Sequence, residues 1–353
     1  VYPDEPLRTL EPPDSRPAPP ESLRTLRDLV LRHVDRAGTA PYGIMLSRVD
    51  GPSAPTSSIA DPVLAVVAQG AKRLTLGDRI HDYGAGQYLV VSVDLPVTGH
   101  YTRASPEEPF LAFGLTLRPP DIASLLLAEA GAGTGARTGA GARAGRPAGA
   151  GSGASRTVSR PPSSRTAPPG LAVSDASPDL LDAVVRLVRL LDRPADLPIL
   201  APMIEREILW RLITGEQGAL VRQIGLADSR LRHISRAIRW IRDHHAQTLR
   251  VEELAGLAGM SASPFHRHFR AVTAMTPIQF QKRIRLQEAR LRLLSSTDDV
   301  AGVGYAVGYD SASQFSREYR RQFGSPPGQD AARLRGQAAA RTERRDDVST
   351  PSL

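Results

Sequence analysis

The chain carries one unit twice. Residues 251–277 read VEELAGLAGMSASPFHRHFRAVTAMTP, and residues 300–327 read VAGVGYAVGYDSASQFSREYRRQFGSPP. Aligned on the aromatic residue, Ser261 meets Ser311, Ser263 meets Ser313, Phe265 meets Phe315 and Arg267 meets Arg317. Phe269 then meets Tyr319, Arg270 meets Arg320 and Pro277 meets Pro327. Each copy predicts a helix, a tight turn and a second helix. In the first, Val251, Leu254, Ala255 and Leu257 form the short helix, and Gly259 supplies the positive φ needed to leave it. Ser261 can cap the next helix, where Pro264 falls in the first turn and is tolerated. Phe265, Phe269 and Val272 form its core stripe. In the second copy Gly308 is the turn, Ser311 and Gln314 have capping-box spacing, and Phe315, Tyr319 and Phe323 form the stripe. The opposite face presents Ser313, Gln314, Arg317 and Arg321.

A helix with an aromatic stripe on one side and Arg, Gln, Ser and His on the other suits reading of the major groove. Arginine donates two bonds to guanine, glutamine pairs with adenine, and small hydroxyl residues let the helix sit deep. A solvated helix face is the plain alternative for one such helix; two matched copies weigh against it. Residues 277–294 between them predict a long helix of about 27 Å at 1.5 Å per residue. That length suits two recognition helices entering successive major-groove segments about 34 Å apart, so one chain can read two half-sites.

Charge follows the same division. The formal net charge is +8, but residues 1–130 are net −4, residues 131–170 net +6, residues 171–227 net −2 and residues 228–345 net +10. Such asymmetry is the footprint of a polyanion-binding module joined to something else. The basic residues are nearly all arginine; Lys72 and Lys282 are the only lysines.

The rest of the chain reads as further domains; 353 residues suffice for two or three. Residues 1–21, rich in proline and charge and lacking a signal-peptide pattern, are expected to be a disordered arm. Leu23, Leu26, Leu29, Val30 and Val34 recur at helical spacing. Between Tyr42 and Leu117, short apolar runs alternate with turn signals: GIMLSRV, PVLAVVAQG, KRLTLGDRIHDY, GQYLVVSV, VTGHYTR and FLAFGLTL. They predict an antiparallel sandwich or barrel. Residues 121–129 read as helix. In residues 131–170, 33 of 40 are Gly, Ala, Pro, Ser or Thr, which predicts a linker. Everything after Leu171 reads as helical, beginning with Ser177-Pro178 as cap and first turn. Helices follow over 198–213, with Met203, Ile204, Ile208, Leu209 and Leu212 apolar, and over 230–244. Residues 336–353 are expected to be a disordered tail. Cysteine is absent, which excludes disulfides and thiolate metal sites and suits a reducing cytoplasm. No apolar run is long enough for a transmembrane helix.

Segment 228–335 resembles the DNA-binding domain of AraC/XylS-type transcription regulators, through LAGLAGMSASPFHRHFR, RIRLQEARLRLL and VAGVGYAVGYDSASQFSREYRRQFGSPP. The resemblance implies two helix-turn-helix subdomains joined by a helix, with reading helices at about 261–273 and 311–323. Carried over by position, Ser263, His266, Arg267, Ser313, Gln314 and Arg317 would face bases, and Arg270, Arg320 and Arg321 would contact phosphates. Two positions depart from that pattern. Ala274 stands where a glycine is common, and Gly304 where an alanine is common. The first bears on a turn; the second weakens its helix by roughly 1 kcal/mol. Residues 42–129 look like the cupin-like effector-sensing domain of one branch of the family, through PVLAVVAQGAKRLTLGDRIHDYGAGQYLVVS. Helices 177–224 are similar to that branch's connecting region, where subunits commonly pair. The 40-residue insertion belongs to no part of the resemblance.

The expected architecture is therefore multidomain: an N-terminal all-β cupin-like barrel (residues 22–130 with flanking helices), a linker (131–170), connecting or dimerisation helices (171–227) and a C-terminal all-α domain with two helix-turn-helix subdomains (228–335). The expected partners are double-stranded DNA, a small-molecule effector, RNA polymerase if the protein activates, and a second copy through 177–224. No membrane, cofactor, metal or catalytic residue is expected. His81, Tyr83, Tyr88, Tyr101 and Phe113 are candidates for the effector pocket, each equally a core residue. Two alternatives stay open. One makes the barrel a metal-dependent enzyme, which would need a cluster of inward histidines and a carboxylate; the barrel has only His81 and His100. The other is an interaction protein whose basic helices bind acidic partners or membrane, against which Glu252, Glu253, Glu288 and Glu318 stand.

Overall fold

The computed structural model describes residues 20–35, 41–135, 169–226, 229–295 and 299–336. The expected arm and tail, and most of the expected linker, lie outside these residues apart from their edges.

Helix α1 (Glu21–His33) buries Leu23, Leu26, Leu29 and Val30, the stripe its spacing demands. Eight strands follow: β1 (Ile44–Val49), β2 (Thr56–Ala60), β3 (Val63–Gln69), β4 (Ala71–Leu76), β5 (Arg79–Gly84), β6 (Gln87–Val91), β7 (Leu95–Arg103) and β8 (Phe110–Thr116). Helix α2 (Pro119–Gly135) comes next and runs five residues into the Gly/Ala-rich stretch. After it, residues Leu171–Asp175 form strand β9. The strands make two antiparallel sheets, ordered β1-β8-β3-β6-β9 and β2-β7-β4-β5. Tyr101 of the second sheet meets Phe110 of the first, with ring centroids 4.7 Å apart, so the sheets close a double-layered barrel.

Two strands depart from the sequence reading. Strand β2 (TSSIA) was not expected, because a short polar edge strand shows little hydrophobic alternation. Residues 171–175, expected to be helical, pair with β6 instead, Leu171 opposite Val91 and Asp175 opposite Gln87. The barrel thus borrows a strand from beyond the low-complexity stretch, which moves the boundary expected at residue 171. A long-range pairing of this kind leaves no local periodic signal.

The helical part begins with α3 (Pro178–Arg189), capped by Ser177, whose side chain accepts from the Leu180 N–H, with Pro178 at the first helical position. Helices α4 (Leu197–Thr214) and α5 (Gly218–Gly225) complete the connecting region. Ile208, Leu209 and Leu212 of α4 are buried as expected, but Met203 is 64% exposed. Helices α6 (Arg230–Asp243), α7 (Val251–Leu257), α8 (Ala262–Thr273), α9 (Pro277–Ser295), α10 (Val300–Ala306) and α11 (Ala312–Phe323) follow, with a last helix, α12, over residues 327–336.

Each repeat has its own aromatic nucleus. In the first, Phe265, Phe269 and Phe280 are fully buried, with Phe269 tilted against Phe265 and edge-to-face with Phe280. In the second, Phe315 and Tyr319 are fully buried, while Phe323 is half-buried beneath the Arg290 guanidinium, 4.6 Å from its centroid. Gly304 now has a packing reason. A Cβ there would lie 2.9 Å from the Phe315 ring, so the helix gives up propensity to let the ring approach.

The barrel rests on the helical domain through the β4–β5 turn and through β2. Gly77, at φ +63°, opens that two-residue hairpin, and a Cβ on it would lie 2.5 Å from the Ala274 carbonyl oxygen. Ala274 is itself left-handed at φ +57°, taking the conformation its missing glycine would have taken. Arg242 of α6 pairs with Asp94. Gln287 of α9 donates to the Ser58 carbonyl at 3.0 Å, and Gln322 of α11 donates to the Ser57 hydroxyl at 3.1 Å.

Gly77→Ala, strained in its own turn and colliding with Ala274, is expected to undock the barrel at this point. Small-angle scattering should show a larger radius of gyration, with helix and strand content by circular dichroism unchanged. A second expectation concerns Asp330, fully buried against Arg290, Arg333 and the Tyr319 hydroxyl. Burial opposes its charge, but these hydrogen bonds outweigh that and hold its carboxyl below the usual range. The resulting stability is present above the unfolded carboxylate pKa and is lost as pH falls through the lower folded value. Asp330→Ala, leaving Arg290 buried and uncompensated, should cost about 3–5 kcal/mol, read from urea unfolding near neutral pH.

Candidate nucleic-acid interface

Helices α8 and α11 end alike and begin differently. Both leave through a left-handed residue, Ala274 and Gly324. Gly259 and Gly308, at φ +62° and +92°, make the expected turns before them. Ser311 caps α11 by accepting from the Gln314 N–H, whereas Ser261 makes no capping bond to α8. The expected capping box is half closed. The Gln314 amide reaches Glu318 at 3.3 Å instead of turning back.

With the aromatic stripes turned inward, the other faces are in solvent. Ser263, His266, Arg267 and Arg270 are exposed on α8, and Ser313, Gln314, Arg317, Arg320 and Arg321 on α11. The structure therefore places all nine expected contact residues on two open faces. Among the described residues, none of these five arginines is ion-paired with a carboxylate. Several arginines elsewhere are engaged, as Arg118 is with Asp121 and Glu205, Arg222 with Glu129, and Arg290 with Asp330. Unpaired guanidinium groups on a helix face keep their donors available for a polyanion.

What relates the two helices is α9, 19 residues and about 28 Å long at 1.5 Å per residue. Its Arg285 donates to the carbonyl oxygens of His245 at 2.7 Å and Gln247 at 2.9 Å, beyond α6, and to that of Gly308 at 2.7 Å, before α11. Gln281, one turn earlier, donates to His245 and Gln247 as well. Lys282 pairs with Glu318 of α11 at 2.8 Å, and the Tyr309 hydroxyl also donates to Glu318. Burial opposes the Glu318 charge, but bonds from Lys282, Gln314 and Tyr309 win and hold its carboxyl below the usual range. Sequence reasoning missed Gln281, Arg285 and Glu318 as positioning groups, since each reads as a solvated side chain until its partners are known. A cleft of about 340 Å³ joins the barrel turn to this region, lined by Asp78, Arg270, Lys282, Arg283 and Arg321.

In the barrel, register sorts the five candidate pocket residues. Tyr83, Lys72 and Tyr101 lie in one row across β5, β4 and β7, and His81, Leu74 and Gly99 in the next row but one, on the same face. The ring contact with Phe110 marks that face as the inner one. Phe113, three residues beyond Phe110, points to the opposite face of its sheet. Tyr88 shares that outer face through Val66, and its hydroxyl bonds to Ser174. So His81, Tyr83 and Tyr101 come together inside, while Tyr88 and Phe113 do not. A cavity of about 770 Å³ opens beside them, lined by Tyr101 but not by His81 or Tyr83, together with Lys72, Leu74, Val97, Thr56 and Ser58. Burial, with help from Arg79, pushes the His81 pKa down, and its buried Nε2 has no hydrogen-bond partner. His100 pairs with Arg73 on the outer face, so the two barrel histidines point opposite ways. Among the described residues no group of three or more His, Asp or Glu is placed to hold a metal ion.

Two family models match the chain: an AraC-type transcriptional regulator N-terminus over residues 42–220, and a helix-turn-helix domain over residues 254–333. The HTH-type transcriptional activator RhaS of Escherichia fergusonii is 30% identical over 149 residues, covering 42% of this chain and 52% of that protein. Its Klebsiella pneumoniae counterpart is 31% identical over 124 residues, covering 35% and 44%. The chain thus spans about half the length of the curated relatives it matches. Among solved structures, fatty-acid-bound ToxT from Vibrio cholerae aligns over 82% of this chain and 93% of its own, at 9% identity and TM-score 0.47. The DNA-binding domain of AdpA in complex with a target DNA aligns over 30% and 94%, at 31% identity and TM-score 0.28. With the N-terminal model covering half of the chain and a helix-turn-helix model covering the repeat, the protein belongs to the AraC-type transcriptional regulator family.

Proposed function

We propose that this protein is a sequence-specific DNA-binding transcription regulator controlled by a small molecule bound in its barrel. The observation that carries the reading is the pair of repeat helices, each with an exposed polar face and together bearing five arginines without an acidic partner among the described residues. In it, Ser263, His266, Arg267, Ser313, Gln314 and Arg317 read bases, and Arg270, Arg320 and Arg321 hold phosphates. Residues 228–335 form the reading domain, and the barrel with β9 forms the sensor. The interleaved strand β2 supports control by linkage. One face of it lines the cavity, and its other face and backbone touch Gln322 and Gln287 of the reading domain. A ligand that prefers one arrangement of barrel and helices shifts the population able to bind DNA.

Relatives named as transcriptional activators support RNA polymerase as a partner. A second copy is proposed at the connecting helices 177–224, where Ile199, Met203 and Trp210 of α4 lie exposed along one stripe. A metalloenzyme barrel is the weaker reading, because its two histidines face opposite ways. Among the described residues no helix is long and apolar enough to cross a membrane.

Selection from random DNA should yield a bipartite site, with affinity falling steeply as salt rises. Arg267→Ala and Arg317→Ala should each cost about 1–3 kcal/mol and relax preference at one position. If both variants keep the parent's preference at every position, the face assignment is wrong. In sedimentation, the parent is expected to be a dimer and Met203→Glu a monomer; a monomeric parent would remove the dimer from the reading.

A further inference from the structure

The two lysines of the chain have opposite surroundings. Lys282 is ion-paired with Glu318. Lys72 sits inside the barrel, between Tyr83 and Tyr101 on the neighbouring strands, and no carboxylate lies within ion-pairing reach of it among the described residues. Its ammonium stands over the Tyr101 ring, 4.9 Å from the centroid. Gly99, diagonal to it on β7, leaves room for its stem, since a Cβ there would come within 3.2 Å of the Lys72 Cε. The one acid lining the same cavity, Asp50, is held by Arg48 at 2.7 Å. Burial pushes the Lys72 pKa below that of an ordinary lysine, which shows how poorly its surroundings replace water.

A partly desolvated cation without a counter-charge is costly in a fold, and the carboxylate of a ligand would supply the missing charge. The cavity around it, about 770 Å³, lies within the ~300–1,000 Å³ range of small-molecule sites. Its walls are mixed. Val49, Leu74 and Val97 are apolar, while Ser53, Thr56 and Ser58 present hydroxyl groups.

Resting on the reading of the barrel as an effector pocket, we propose that its ligand is a small hydroxylated organic carboxylate. The carboxylate meets the Lys72 ammonium, the body lies along Leu74 and Val97, and its hydroxyl groups meet Thr56 and Ser58. Those last two residues lie on β2, whose Ser57 side chain and Ser58 carbonyl receive Gln322 and Gln287. An occupant is therefore one strand away from the second reading helix.

Having two lysines makes the test direct. Reductive methylation with ¹³C-formaldehyde keeps the charge and gives each lysine its own NMR signal in the full chain, with the Lys72 signal assigned by its loss in Lys72→Met. The probes are 4-hydroxyphenylacetate, its neutral amide, and inorganic phosphate, each at millimolar concentration. The acid should move the Lys72 signal saturably and leave that of Lys282 in place; the amide and phosphate should move neither. In unlabelled protein the acid should raise Tm, with binding weakened on the order of tenfold or more in Lys72→Met and largely kept in Lys72→Arg. No movement with the acid, or equal movement with the amide or phosphate, overturns the proposal. Should Lys72→Met fail to fold, the probe comparison on the parent decides alone. A chain that selects its DNA site yet ignores the acid overturns this inference and leaves the regulator reading standing. One that takes the acid at Lys72 but binds DNA indiscriminately does the reverse.

Discussion

Arg285 holds the reading domain together. A recognition helix works only if its neighbour is held at a defined distance and angle, and α9 alone would fix the distance but not the angle. The Arg285 fork reaches carbonyl oxygens on both sides, at the loop after α6 and at the turn before α11. It binds backbone, so the clamp acts on the path of the chain. Gly308 completes the contact: a Cβ there would stand 2.3 Å from the Ala246 carbonyl oxygen. The two helix-turn-helix units are thereby tied to each other through backbone carbonyls, an arrangement that suits the proposed bipartite site in successive groove segments.

Charge is used in two ways in this molecule, and the difference separates structure from function. Arg290, Arg285 and Asp330 are partly or wholly buried, with their bonding capacity engaged inside the protein. Removing one partner from such a set leaves a desolvated charge behind. Arg267, Arg270, Arg317, Arg320 and Arg321 are solvated and have no carboxylate partner among the described residues, and they contribute little to the fold. Lys72 belongs to neither group. It is partly desolvated and has no counter-charge among the described residues, the combination that supports the proposed ligand anchor.

Strand β2 ties the two halves together. As an edge strand in its sheet it has one hydrogen-bonding side unpaired by β7, and that side is where Gln287 finds the Ser58 carbonyl. Its side chains alternate, Thr56 and Ser58 toward the cavity and Ser57 toward Gln322. The two-residue period of a strand thus puts the cavity and helix α11 on the two sides of a single backbone.

The reading domain was legible in the sequence because its signals are local. The aromatic stripes at Phe265, Phe269, Phe315 and Tyr319, the turns at Gly259 and Gly308 and the cap at Ser311 depend on neighbours within one or two helical turns, and all hold in the structure. So do most of the barrel strands, whose apolar runs are bounded by turn residues. Partnerships between distant residues were not legible. Strand β9 is recruited across the low-complexity stretch, β2 is too polar to announce itself, and Tyr88 and Phe113 face away from the cavity through register alone. The sequence by itself determined two copies of a reading helix and the positive charge on them. Only the tertiary structure decided how Arg285 orients them, where Lys72 stands uncompensated, and that β2 lies between cavity and reader. Periodicity is written in neighbouring residues, whereas desolvation and pairing depend on which distant residues the fold brings together.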